Sequence, residues 1–232
     1  MNNGQKKCSN RGVALFLVGI LFVSLFLGTL FIHEELLGAP ESLDYQDIVE
    51  MNDPGTLKMY AEEDGETVSY ISGKYSNRKI RTFKDAEKAV WGIGSLLGLK
   101  EDDSFVADIC NTDEIHSTYR FKQFYKGIEV LDHGLIVGTD GEGNTTHLLS
   151  YYQKNLDMEI ELAISREQAD AVLAGHYVGC EIQQNELVIA ENEEKYVLAW
   201  HSFVYVEGDT LDVLMDAETG VILREISCTI EG

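Results

Sequence analysis

The stretch HSTYRFKQFYKGIEVLDHGLIVGTDGEGNTTHLLSYYQ, residues 116–153, decides the fold. β-Forming side chains alternate over 116–125 and put Tyr119, Phe121 and Gln123 on one face, the mark of a strand with one buried side. Further strands at 129–139 and 145–153 flank Asp140-Gly141-Glu142-Gly143-Asn144, where glycine permits the positive φ of a short hairpin loop. Working back from this meander, 104–110 reads as another strand. A helix precedes it, because Ala86, Ala89, Val90, Ile93, Leu96 and Leu97 recur at three- and four-residue steps and form one apolar stripe. Thr82 and Asp85 resemble a capping box at its start, and Gly98 suits its stop. Gly92 and Gly94 weaken the helix by about 1 kcal/mol each relative to alanine, which close packing on a sheet would explain. Residues 67–74, TVSYISGK, read as a strand.

Working forward, the pattern repeats. Ser165 and Gln168 form a capping box, and a helix from Arg166 carries Ala169, Val172 and Leu173 on one face and ends near Gly175. Strands follow at 186–191, 196–206, 210–216 and 221–227, with turns at 191–194, 207–209 and 217–220. The fold class is α+β, with two tandem units that each pack a helix on an antiparallel β-meander, cystatin-like or PepSY-like. The repeat lies in architecture, with little residue identity between halves.

Towards the N-terminus, residues 13–32 carry no charge and match the ~20 helical residues that a bilayer core requires, so a single transmembrane helix is expected. Lys6, Lys7 and Arg11 precede it and Glu34 and Glu35 follow, which puts the N-terminus in the cytoplasm and the rest outside. A cleaved signal peptide is the competing reading, with a small-residue site at Leu37-Gly38-Ala39 before Pro40, and would release a secreted protein. The expected organisation is a cytoplasmic 1–12, a span at 13–32, a juxtamembrane stalk at 33–65 (partly helical over 43–51), a first unit at 66–156 and a second at 157–228.

The net charge of −22 excludes nucleic acid as a partner and favours a basic one. Of four cysteines, Cys8 precedes the span, and Cys110, Cys180 and Cys228 can form at most one intramolecular pair. Cys180 and Cys228 both fall at strand ends and are the preferred pair; three buried, unpaired thiols are the alternative. No C-x-x-C spacing points to zinc or redox chemistry. Of the histidines, only His33-Glu34 begins a zincin pattern, and Leu37 stands where its second histidine belongs. His116, His133 and His147 are expected on the surface or in hydrogen bonds. Asp140-x-Glu142 and Asp209-x-x-Asp212 complete no EF-hand, and no nucleophile elbow, Walker or Rossmann pattern is present. No catalytic, metal or cofactor-binding residue is identified, and the chain does not read as an enzyme.

Residues 119–130, YRFKQFYKGIEV, resemble the strand signature of the fungalysin/thermolysin propeptide (FTP) domain. Phe121, Gln123, Tyr125, Gly127, Ile128 and Val130 carry the likeness, followed by Leu135-Ile136-Val137 and the turn at 140–144. Ile164-Ser165-x-Glu167-Gln168-Ala169, then Asp216-x-x-Thr219-Gly220 and Val221-Ile222-Leu223, are similar to a PepSY domain. Together the resemblance spans about residues 66–228. In thermolysin-like metallopeptidases such units form a pro-region that chaperones and inhibits the catalytic domain. The resemblance implies that Phe121, Gln123, Tyr125, Gly127, Asp140, Gly143, Asp216 and Gly220 hold the fold. The metallopeptidase domain is missing from this sequence, so it also implies a separate propeptide-like module binding an exported metallopeptidase. The alternatives are an extracytoplasmic sensory or envelope protein-interaction module and a truncated metallopeptidase precursor.

Overall fold

A computed structural model describes residues 42–62, 67–193 and 195–228. Helix α1 (Tyr45–Glu50) leads into β1 (Lys58–Ala61) and β2 (Val68–Ser72). Then come α2 (Phe83–Gly92), α3 (Gly94–Leu97), β3 (Asp103–Thr112), β4 (His116–Tyr125), β5 (Ile128–Asp140) and β6 (Thr145–Tyr151). The second unit is α4 (Arg166–His176), β7 (Glu181–Asn192), β8 (Lys195–Val206), β9 (Asp209–Asp216) and β10 (Ile222–Ser227). The mixed α+β class agrees with the sequence reading. The expected span at 13–32 lies outside the described residues, and among those described no helix is long and apolar enough to cross a membrane.

The two meanders form one sheet. Its main path runs β1-β2-β6-β5-β7-β8-β9-β10, with β3 and β4 branching off β5. Strand β5 joins the halves. One edge pairs with β4 from Ile128 to Asp140. The other is shared: Gly134 to Thr139 pair with β6, while Glu129 and Val130 pair in parallel with Val188 and Ile189 of β7. The β4–β5 register shifts between Lys122↔Gly134 and Phe124↔Glu129, so Leu131, Asp132 and His133 bulge out opposite Gln123.

The helices form where the sequence placed them. Thr82 and Asp85 make a reciprocal capping box, as do Ser165 and Gln168. Ala86, Ala89, Val90, Ile93 and Leu97 all enter the first core beside Ile71, Phe121, Leu135 and Leu148. The expected single helix breaks at Ile93, between Gly92 and Gly94, and Gly98 ends the second piece in the left-handed conformation at φ 70°. On α4, Ala169 and Leu173 face the core, whereas Val172 is exposed. One step of four residues places a side chain on the buried face here; the step of three rotates it off.

Within the stalk expected over 33–65, residues 42–62 are folded structure. Asp44 caps α1 through a box with Asp47, and Leu43 and Ile48 are buried in the first core. The Leu43 amide donates to the Gly92 carbonyl at 2.7 Å. Asn52 fixes this segment to the chain after β2: its amide donates to the Lys74 carbonyl at 2.7 Å and accepts from the Lys74 amide at 2.8 Å. Strand β7 starts five residues before the expected 186, because hairpin pairing with β8 from Glu181↔Tyr205 extends it through a polar stretch without alternation.

Candidate functional site

The motif residues build a frame. Phe121 is buried, and its ring meets Phe83 edge-on at 5.5 Å. Tyr125 is buried with Val130 and Ile189 where the two units meet. Lys126 and Gly127 both have positive φ, 49° and 81°, the geometry of a two-residue hairpin turn. Gly143 serves a different need: at φ +83° a Cβ there would lie 2.7 Å from the Ile80 carbonyl oxygen.

The two turn aspartates act alike. Asp140 Oδ1 accepts from the amides of Glu142 and Asn144, and Oδ2 from the Asn144 side chain at 2.7 Å. The Asn144 side chain, helped by these backbone amides, holds the Asp140 carboxyl below its ordinary range. Asp216 Oδ1 accepts from the amides of Glu218 and Thr219 and from the Thr219 hydroxyl. Gly220 closes that turn at φ +74°. The architectural repeat therefore extends to how each hairpin loop is tied.

Gln123 is the most constrained of the set. It is fully buried opposite the β5 bulge. Its side-chain amide donates to the Gln153 carbonyl and accepts from the Gln153 amide, both at 2.7 Å. A side chain here does the work of a strand neighbour for the segment leaving β6. The Gln153 side chain continues the network, because the Tyr196 hydroxyl donates to its Oε1 at 2.9 Å and lies 3.0 Å from His133 Nε2. Burial, then Glu191, pushes the Tyr196 hydroxyl up to about 12. This polar chain ties the motif strand β4 to β8 of the second unit.

The remaining chemistry-bearing groups have structural partners. His116 lies 3.8 Å from Asp113 on an exposed turn. His133 Nδ1 is 2.8 Å from the Leu131 carbonyl. The His147 ring covers Gly138, and burial lowers its pKa. His176 stacks edge-on against Tyr177 at 4.6 Å. His201 and Arg224 share Asp212 Oδ1 at 3.1 and 3.5 Å. His33 lies outside the described residues, and among those described no group of three or more His, Cys, Asp or Glu could hold a metal ion. Cys110, Cys180 and Cys228 are free thiols, so the structure does not form the expected Cys180–Cys228 bond. Cys180 packs instead beside Leu173 and Tyr177, while Cys228 is exposed beyond β10.

One concave surface stands out. A groove of about 430 Å³ lies between the segment Met158 to Ala163, which links the units, and the start of β8. Met158, Leu162, Tyr196, Val197 and Leu198 line it, with Glu159, Glu161, Asp216 and Glu218 around them. The linking segment buries Leu156, Met158 and Ile160 partly against the two units and exposes Asp157, Glu159 and Glu161 between them. That period of two is a strand signal which sequence reasoning passed over.

Residues 117–149 match the family model of the Fungalysin/Thermolysin Propeptide Motif. Four solved chains match. Among them is the Bacillus megaterium YpeB C-terminal domain, at 14% identity and TM-score 0.45, covering 82% of this chain and 100% of that one. No curated protein matches the chain.

Proposed function

We propose that this chain is a membrane-anchored, extracytoplasmic, non-catalytic propeptide-like module that binds an exported metallopeptidase and restrains it or assists its folding. The carrying observation is the propeptide motif at 117–149, whose residues Phe121, Gln123 and Asp140 are spent on the frame of the first unit. Function in such a module falls to its surfaces. Among the described residues strand β3 pairs only with β4, and its edge exposes Val106 and Ile109, a form open to strand addition. Binding between separate chains forgoes the effective concentration of a covalent link. An anchor at residues 13–32 would restore part of it by confining both proteins to one surface.

The test uses residues 41–232 as bait in a host extract, with peptidase activity assayed against added bait. Recovery of an exported metallopeptidase whose activity falls with dose supports the proposal. Recovery of envelope or signalling proteins, without effect on any peptidase, replaces it with the sensory reading. The anchor is checked separately by carbonate extraction of membranes and by external protease treatment of intact cells. Release of the chain into the supernatant would show cleavage.

A further inference from the structure

We propose that the groove between Met158 to Ala163 and the start of β8 docks an extended partner segment that alternates basic and apolar residues, by adding a strand to the open edge of β8. The proposal names a mode of recognition and stands whether or not the partner is a peptidase.

The open edge follows from register. Strand β8 pairs with β7 from Lys195 onward, but with β9 only from Ala199↔Asp216. Its first residues therefore overhang β9. The Ala217 amide donates to the Leu198 carbonyl at 2.9 Å, so the Leu198 backbone faces the β9 side. Backbone groups two residues apart on a strand face the same edge, which aims the amide and carbonyl of Tyr196 the same way. There β9 has already turned away through the Asp216 loop, whose Asp216 amide donates to Val221. Among the described residues no strand stands against Tyr196 on that side. A guest residue can donate to the Tyr196 carbonyl and accept from its amide in line with β9.

The walls set the guest's chemistry. Met158, Leu162 and Leu198 supply apolar contacts for side chains on one face of an added strand. Glu159, Glu161 and Glu218 stand at the rim, and among the described residues no Lys, Arg or His lines the groove. The Lys126 ammonium donates to the Met158 carbonyl at 3.0 Å. Asp216 is committed to its turn, so the three glutamates carry the attraction. A period of two in the guest places apolar residues inward and basic residues at the rim, matching the pleat. The volume falls within the ~300–1,000 Å³ usual for ligand sites.

The probe is a fluorescein-labelled Lys-Val-Arg-Val-Lys-Val peptide, titrated by anisotropy with the full-length chain in detergent micelles. Saturable binding is expected, weakened at least tenfold in Glu159→Lys/Glu161→Lys and unchanged in Asp53→Lys/Glu114→Lys, a charge-matched change on the first unit. A Glu-Val-Glu-Val-Glu-Val peptide, and the basic peptide N-methylated at alternate backbone nitrogens, should both fail to bind. Equal binding by the groove variant or by the N-methylated peptide overturns the proposal, as does the absence of saturable binding. Binding that emerges only when residues 1–12 are deleted also overturns it, by giving the groove to the chain's own basic segment. In the peptidase pull-down, capture unchanged by Glu159→Lys/Glu161→Lys, beside peptide binding lost in the same variant, supports the groove and places the peptidase on another surface; loss of saturable peptide binding in the wild type sinks the groove and leaves the peptidase reading intact.

Discussion

Replacing Gln123 with leucine tests whether the motif glutamine is a structural clamp. Leucine keeps the volume but removes two hydrogen bonds of 2.7 Å, leaving the Gln153 amide and carbonyl without their partner. An orphaned buried polar group costs about 1–3 kcal/mol. Gln153 is only half-buried, so water relieves part of this, and the sum comes to about 2–4 kcal/mol. With a urea dependence of about 2 kcal/mol per molar, the unfolding midpoint should fall by about 1–2 M. Gln123→Glu adds a readout that lost packing would not give. Its carboxylate can accept from the Gln153 amide but repels the carbonyl; protonated, it donates to that carbonyl again. Burial raises the pKa of such a carboxyl, so the variant should recover stability relative to wild type as the pH falls towards about 5. A leucine variant within about 0.5 kcal/mol of wild type, or a glutamate variant with no recovery, would refute the clamp.

Gly143→Ala should destabilise by more than Gly127→Ala in thermal or urea unfolding. Both place alanine at positive φ, a cost of about 1–2 kcal/mol, but only the first drives a Cβ against the Ile80 carbonyl. Asp140, held below its ordinary carboxyl value, contributes stability that is fully present above the unfolded-state pKa and lost as the pH falls through the folded-state one. Asp140→Asn should therefore flatten the decline in stability below about pH 4, measured by urea unfolding at successive pH values. With an aromatic disulfide reagent, Cys110 and Cys228 should react promptly and Cys180 slowly until denaturant is added. Loss of Cys180 and Cys228 reactivity together, with Cys110 still reactive in the unreduced, denatured chain, would restore the Cys180–Cys228 bond.

Local rules made much of this fold legible. The capping residues Thr82, Asp85, Ser165 and Gln168 act on amides three positions away, so their role is written in a short window. The strand at 116–125 was readable for the same reason, as Tyr119, Phe121 and Gln123 share one buried face. What escaped depends on contacts far along the chain. Strand β1 is too short to carry a period, and the docking of the expected helix at 43–51 is defined by where Leu43, Ile48 and Asn52 land. The Gln123–Gln153 pair and the open edge at Tyr196 exist only once the bulge in β5 and the register of β8 are set. The groove had one local signal, the alternation of Leu156, Met158 and Ile160 with acidic neighbours, but no local rule relates that segment to Leu198.

The shared strand β5 bears on how the protein carries mechanical load. The first strand of the described residues, β1, lies at one margin of the sheet and the last, β10, at the opposite margin. Tension applied between the two ends would act across the strands and peel the margins one hydrogen bond at a time, instead of shearing whole ladders at once. The peeling would meet β5, which β4 and β6 hold through long ladders and β7 through only two residue pairs, Glu129↔Val188 and Val130↔Ile189. A protein held at its N-terminal side and pulled at its C-terminal side would thus lengthen at low force by shedding β10 and β9, while the propeptide-type frame around Phe121 and Gln123 stays closed.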